Sequence, residues 1–321
     1  MKVASEFRSA WWLRNAHLHT VWCSVVRRPV RIDCAAERLE LPDGDFVDLA
    51  WLDRHPAAPL VVAFHGLAGS VESQHMAGVM RALDASGYGS VLMHFRGCSG
   101  VPNRLRRAYH SGETGDINYL LEELRRRFPT RTLYAFGVSL GANALLKYLG
   151  EVGSDVVLDK AVAVSPPFQL SVCSDHMNKG LARFYQRYLV ARLVKAAASK
   201  TAPLDGPPVD SGVLDGCRSF WEFDEHVTAP LHGFSSASDY YQRSSSRQFL
   251  AGIEVPTLIV HSRDDPFFVP DVIPGADELS SSVRLEVSRH GGHVGFRGPG
   301  LPGRGRYWLE ERLPRWFKEG R

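Results

Sequence analysis

Cysteine is scarce: five residues at positions 23, 34, 98, 173 and 217 of 321, an odd number with no CxxC pair. That excludes a disulfide framework and a zinc site of paired cysteines, and points to free thiols in a reducing cytoplasm. No stretch approaches the roughly 18 apolar residues of a membrane span. The opening MKVASEFRSAWWLRNAHLHTVW interleaves charges, histidines and aromatics where a secretion signal needs an unbroken apolar run. An excess of one charge is missing too, since 38 Lys and Arg face 35 Asp and Glu, a net +3. Such a balance leaves no electrostatic footprint for nucleic acid or stable membrane insertion. Neither GxGxxG nor a phosphate-binding P-loop occurs, so no nucleotide cofactor is implied, and repeats and low-complexity segments are absent. What is present, 44% hydrophobic and 23% charged residues, is the make-up of a globular protein with a large core in one or two domains.

The apolar pattern is that of alternating strands and helices. LELPDGDFVDLAWL, from Leu39 to Leu52, places apolar runs on both sides of Pro42-Asp43-Gly44-Asp45 and predicts an antiparallel hairpin. Short continuous apolar runs follow at Pro59–Phe64, Ser90–Phe95, Thr132–Phe136, Lys160–Val164, Pro256–His261 and Val283–Val287, as expected of strands buried on both faces. Helical stretches fall at Ser73–Ser86, Glu113–Phe128 and Ala142–Glu151. The succession predicts a doubly wound α/β sheet of mostly parallel order. Residues 1–36 lack clean periodicity and are expected to pack on the core as an extension, with the core made of 37–167 and 253–321. The interruption between, 168–252, contains amphipathic LARFYQRYLVARLVKAA and is too long for a plain loop, which predicts a helical cap.

Chemistry concentrates at Gly137-Val138-Ser139-Leu140-Gly141, a GxSxG between a strand and a helix. In that context the serine sits on a strained turn above the sheet edge, and the flanking glycines let strand and helix approach closely. A serine hydroxyl needs a histidine to take its proton and an acid to orient that histidine, in the chain order Ser, acid, His. Ser262-Arg263-Asp264-Asp265-Pro266 places carboxylates at the end of a strand, and His290-Gly291-Gly292-His293 follows the last strand. Asp265, where proline turns the chain, is the expected acid, with Asp264 one register position away as the alternative. His293 is the expected base. Oxyanion donors are expected from the amides of Leu140, after the nucleophile, and Leu67, in the loop His65-Gly66-Leu67-Ala68-Gly69. Arg104, Arg106 and Arg107 read as solvated positions that could also steer an anionic substrate, RGCSG from Arg96 to Gly100 as pocket floor, and Tyr240, Tyr241 and Phe234 as an apolar acyl site.

WWLRNAHLHTVW, HGLAGS, HFRGCSG with PNRLRRAYHSGETGD, GVSLGAN, FDEHVTAPLHGF with DYY, HSRDDPF and HGGHVGF run along nearly the whole chain. This set resembles the YheT-like α/β-hydrolases, bacterial relatives of the eukaryotic α/β-hydrolase-domain proteins. The resemblance implies an α/β-hydrolase core, a mostly parallel sheet flanked by helices with a helical cap insertion, and a charge-relay triad at Ser139, Asp265 or Asp264, and His293. It also implies carboxylesterase or acylglycerol lipase chemistry, without fixing a substrate. The expectation is a cytoplasmic serine hydrolase acting on a small ester or acylglycerol-like molecule, with no metal and no cofactor. Two rivals stay open: a ligand-binding protein on the same fold, and an acyltransferase using the same serine.

Overall fold

The computed structural model describes residues 1–320. The runs that are apolar without alternation become buried strands, with only Tyr134 of β6 half-buried: β4 (Leu60–Phe64), β5 (Gly89–His94), β6 (Leu133–Val138), β7 (Lys160–Val164) and β8 (Thr257–Ser262). With β1 (Lys2–Ala4), β2 (Ala35–Glu40), β3 (Phe46–Leu52) and β9 (Val283–Ser288) they form one nine-stranded sheet, ordered β1-β9-β8-β7-β6-β4-β5-β3-β2. The pairings from β1 to β5 are parallel, whereas β3 runs antiparallel to β5 and to β2. Gly44 turns the β2–β3 hairpin at φ 84°, a conformation that favours glycine.

Both faces of the sheet are covered, which is why its strands read as unbroken apolar runs. On one face α2 (Gln74–Ala85) and α11 (Leu309–Lys318) bring Met80, Leu83, Leu313 and Phe317 onto Val61, Leu92 and Val162. On the other, α3 (Gly115–Arg127) and α4 (Leu140–Val152) bury Leu120, Leu124, Leu145 and Leu149 against Val62, Met93 and Ala163. Two features depart from what periodicity shows. Residues 2–4 join the sheet as an edge strand on β9, too short to carry a period. Helix α11 holds Pro314 inside it, which interrupts the pattern by which a helix is read.

The N-terminal segment also contributes α1 (Ala16–Val21). Between β7 and β8 the chain forms α5 (Leu170–Met177), α6 (Ala182–Ala198), α7 (Ser211–Gly216), α8 (Phe220–Phe223), α9 (Ala229–His232) and α10 (Ala237–Ser244). Val190, Leu214, Cys217, Phe223 and Val227 give this helical cap a small core of its own. Asn143 of α4 ties it to the sheet: its amide donates to the carbonyls of Ser111 and Ser244 at 2.8 Å each, and its Oδ1 accepts the Ser246 N–H at 3.0 Å. No helix among the described residues is long and apolar enough to cross a membrane.

The β6–α4 turn depends on close backbone approach. A Cβ placed on Gly141 would lie 2.5 Å from the carbonyl oxygens of both Phe64 and His65, and one on Gly137 would lie 2.5 Å from the Gly141 carbonyl oxygen. Backbone atoms of a central strand cannot yield as a side chain can. Gly141→Ala is therefore expected to destabilise the fold by about 3 kcal/mol or more. Chemical denaturation checks this, and a variant with an unshifted midpoint would contradict the packing described.

Candidate active site

Ser139 stands where β6 ends and α4 begins, at φ 52° and ψ −117°, a conformation that L-residues rarely adopt. Such strain, of order 1–3 kcal/mol, persists only where the surroundings hold it. Here the Ser139 N–H donates to the Val164 carbonyl at 2.8 Å, and its own carbonyl accepts the Asn143 N–H at 3.0 Å. The turn lifts the hydroxyl off the sheet edge toward His293, whose Nε2 lies 3.0 Å from Ser139 Oγ. On the far side of the ring, His293 Nδ1 lies 2.8 Å from Asp265 Oδ2. A carboxylate only accepts, so Nδ1 carries the proton and Nε2 presents a lone pair to the serine.

The two neighbouring aspartates are sorted by the turn after β8. Asp265, 4% exposed, spends Oδ2 on His293 and Oδ1 on the Phe267 N–H at 2.9 Å. Asp264 faces the other way: its Oδ2 is 3.1 Å from His290 Nδ1, and its Oδ1 accepts the Gly292 N–H at 3.1 Å. His290 thus fastens the loop that carries His293 and stays away from Ser139. The same turn supplies Phe267, whose ring stacks on the His293 imidazole at 4.0 Å between centroids and 7° between planes.

Part of the support comes from residues that sequence reasoning leaves unassigned. Thr20 of α1 accepts the His293 N–H on its Oγ1 at 2.9 Å, so the N-terminal segment holds the histidine loop from 273 positions away. No local signal marks such a contact. His65 locks the loop after β4. Its Nδ1 donates to the Gly66 carbonyl at 2.7 Å and its Nε2 accepts the Phe95 N–H at 3.1 Å, while full burial lowers its pKa to about 3 and keeps it neutral. Gly66 in turn packs on Ser139, since a Cβ there would lie 3.3 Å from the serine Cβ. The Leu67 and Leu140 amides donate to no protein acceptor among the described residues, and both residues line the same cavity as Ser139.

That cavity, of about 130 Å³, is roofed by the cap and walled mainly by Leu170, Met177, Leu189, Phe223, Tyr240 and Tyr241. Phe234 does not line it; its ring packs instead on His110 and Tyr240. One carboxyl faces the apolar wall: Asp224 accepts the hydroxyls of Thr228 at 2.7 Å and Tyr241 at 2.8 Å. Its pKa is raised to about 6, mainly by burial, against which the two hydroxyls pull it down. The folded state therefore binds this proton more tightly than the unfolded chain does. Stability from Asp224 is present below its unfolded pKa near 4 and is lost as pH rises through about 6. Asp224→Asn is expected to flatten the decline in unfolding free energy between those pH values, by on the order of 2 kcal/mol. Denaturation of both proteins at pH 4.5 and 7.5 tests this, and parallel pH profiles would contradict it.

On the wall of the cavity, His110 joins Glu113 and His232 in a group whose ligand atoms lie within 4.8 Å of one another. Glu113 is already taken by the Arg107 guanidinium and the Gly115 N–H, and burial keeps both imidazoles neutral. Arg96, two residues beyond β5, is enclosed by Asp116, Asp43 and Asp45 in a buried ion-pair cluster.

Known proteins are similar to this chain in sequence and fold. Residues 59–297 match the family model described as the alpha/beta hydrolase fold. YheT of Escherichia coli K12, whose name assigns esterase activity only provisionally, is 45% identical over 98% of this chain and 93% of its own length. The chain belongs to the YheT-like α/β-hydrolases. The α/β-hydrolase is also 30% identical to a monoacylglycerol lipase of Saccharomyces cerevisiae, over 83% of this chain and 60% of the yeast protein. Among solved structures, the esterase Pf2001 of Pyrococcus furiosus superposes with a TM-score of 0.59 at 16% identity, covering 89% of this chain and 90% of its own; this similarity shows the fold. Nine strands, flanking helices and a serine elbow are thus the architecture of an α/β-hydrolase with esterase and lipase relatives.

Proposed function

We propose that this α/β-hydrolase cleaves carboxylic esters through an acyl-enzyme on Ser139. The observation that carries the reading is the unbroken relay from Asp265 through both ring nitrogens of His293 to Ser139 Oγ, at 2.8 and 3.0 Å, opening on an apolar cavity. In this reading Ser139 Oγ attacks the carbonyl carbon while His293 Nε2 takes the hydroxyl proton. Asp265 holds the Nδ1–H tautomer and stabilises the imidazolium that forms. Negative charge on the carbonyl oxygen is met by the free amides of Leu67 and Leu140. Collapse expels the alcohol, which takes the proton back from His293, and water repeats the sequence to release the acid.

The names of YheT and of the yeast lipase support ester chemistry. The tight, mostly apolar cavity favours short acyl chains. Turnover of p-nitrophenyl esters from acetate to palmitate tests the reading, with kcat/KM expected to peak among short chains and fall at least 10-fold by palmitate. A folded protein that turns over none of the series would contradict it.

A further inference from the structure

Beside the apolar cavity lies a second, larger one of about 650 Å³, and its lining is one-sided in charge. Arg96, Arg106, Arg192, Lys195 and Lys200 border it together with no aspartate or glutamate. Arg96 is neutralised by its own aspartates, but Arg106, Arg192, Lys195 and Lys200 form no ion pair with a carboxylate among the described residues. Helix α6 provides Arg192 and Lys195, three positions apart and so on one face, and Lys200 follows just beyond its end.

The nearby acids are engaged elsewhere. Asp205 accepts the main-chain N–H of Arg106 at 2.6 Å, leaving the guanidinium uncompensated, and Arg106 Nε is buried without a partner. Asp45 is held by Arg96 and Asn103. Lys200 is fixed in the wall by the carbonyls of Leu105, Arg106 and Arg107 at 3.1, 3.2 and 2.7 Å. Burial lowers its pKa to about 8, a pressure that a bound anion would relieve. Like charges gathered around one concave space raise its affinity for an anion.

Its position relates this space to the reaction. The two cavities share Tyr109, Leu193, Phe223 and Thr228 as a common wall. Leu67 lines the apolar one, while the next two residues, Ala68 and Gly69, line the cationic one. Arg192 Nη2 donates to the Ala68 carbonyl at 2.6 Å, which ties the cap's charge to the loop bearing an oxyanion amide. Were an ester held with its acyl chain in the first cavity and its carbonyl at that loop, its other half would lie by the shared wall, on the side of the second.

We propose that the cationic cavity holds a phosphate group on the leaving half of the ester, so that the substrates are esters of phosphorylated alcohols or thiols. This rests on the reading of Ser139 as an ester-cleaving nucleophile. Phosphate fits better than a carboxylate: near pH 7 it carries close to two charges, and its oxygens match guanidinium geometry. The cleaved bond is the ester between acyl carbon and alcohol oxygen or thiol sulfur. The phosphate stays on the departing alcohol or thiol, which leaves with the proton returned by His293.

The test compares kcat/KM for an acylglycerol, the same acylglycerol phosphate, and an acyl phosphopantetheine of equal acyl length, in wild type and in Lys195→Glu and Arg106→Glu. Wild type is expected to prefer at least one phosphorylated ester by 10-fold or more. Which one is preferred separates a lipid-type headgroup from a thioester carrier. Each charge reversal is expected to cut that ratio about 10-fold, and 0.5 M salt to compress it. A wild-type ratio near or below one with the neutral ester turned over, or a ratio that neither reversal moves, overturns the proposal and leaves ester cleavage standing. If no ester is turned over, the reading of Ser139 falls, and calorimetry with glycerol 3-phosphate then decides the cavity alone. Binding that is lost in Lys195→Glu upholds an anion site, whereas no binding at millimolar concentration removes it.

Discussion

Ser139→Ala is expected to lower ester turnover by about 10⁴-fold or more while leaving the denaturation midpoint close to that of wild type. The size follows from the unity of the relay: without Oγ, the His293 lone pair and the Asp265 charge have no nucleophile to act on, and only polarisation by the amides remains. The fold is expected to survive because the turn is held by main-chain bonds from Val164 and Asn143 and by the close approach of Gly137 and Gly141. Release of the positive φ at position 139 is not available to alanine, so the strain stays. Steady-state kinetics and chemical denaturation on one preparation measure both effects. Retention of most of the wild-type rate in a well-folded variant would contradict the role given to this serine, and the same result would favour a ligand-binding protein on a hydrolase fold.

The second large effect separates two adjacent carboxylates. Asp265→Asn is expected to cost about 10³- to 10⁴-fold in kcat, because an amide that donates toward Nδ1 favours the tautomer with its proton on Nε2, facing the serine. Asp264→Asn keeps the size of a side chain that holds His290 and the Gly292 N–H, and it is expected to cost less than about 10-fold. The contrast is sharper than either value alone, since both residues lie on one turn and both pair with a histidine of one loop. Equal losses in the two variants would mean that the turn acts as a structural unit, and that the relay geometry does not decide the rate.

Much of this was legible in the residues because each local cue had a physical cause. Strands buried on both faces lose alternation, so PLVVAF and KAVAV declare themselves, and GxSxG gains meaning from the strand before it and the helix after it. The choice between Asp264 and Asp265 is different in kind. It depends on which way a turn directs two consecutive side chains, and proline at 266 is only an indirect guide to that direction. The support of His293 by Thr20 has no sequence signal, because a contact across 273 positions is made by tertiary folding alone. Phe234 shows the converse: an aromatic beside the cap tyrosines that faces His110 and leaves the cavity to its neighbours. The cationic cavity is also invisible as a unit along the chain, where Arg106 and Lys195 stand far apart and only folding brings them to one space.

The central claim is that Ser139 is an activated nucleophile, and a fluorophosphonate probe tests it most directly. Such a probe reacts with a serine whose proton is taken by a neighbouring base and whose oxyanion is stabilised, which is the condition argued for the Asp265, His293 and Ser139 relay. Labelling of the intact protein, followed by peptide mapping, is predicted to place one adduct on Ser139 in wild type, with none in Ser139→Ala. A well-folded wild type that remains unlabelled, or that carries its adduct on another residue while turning over esters, would contradict the account.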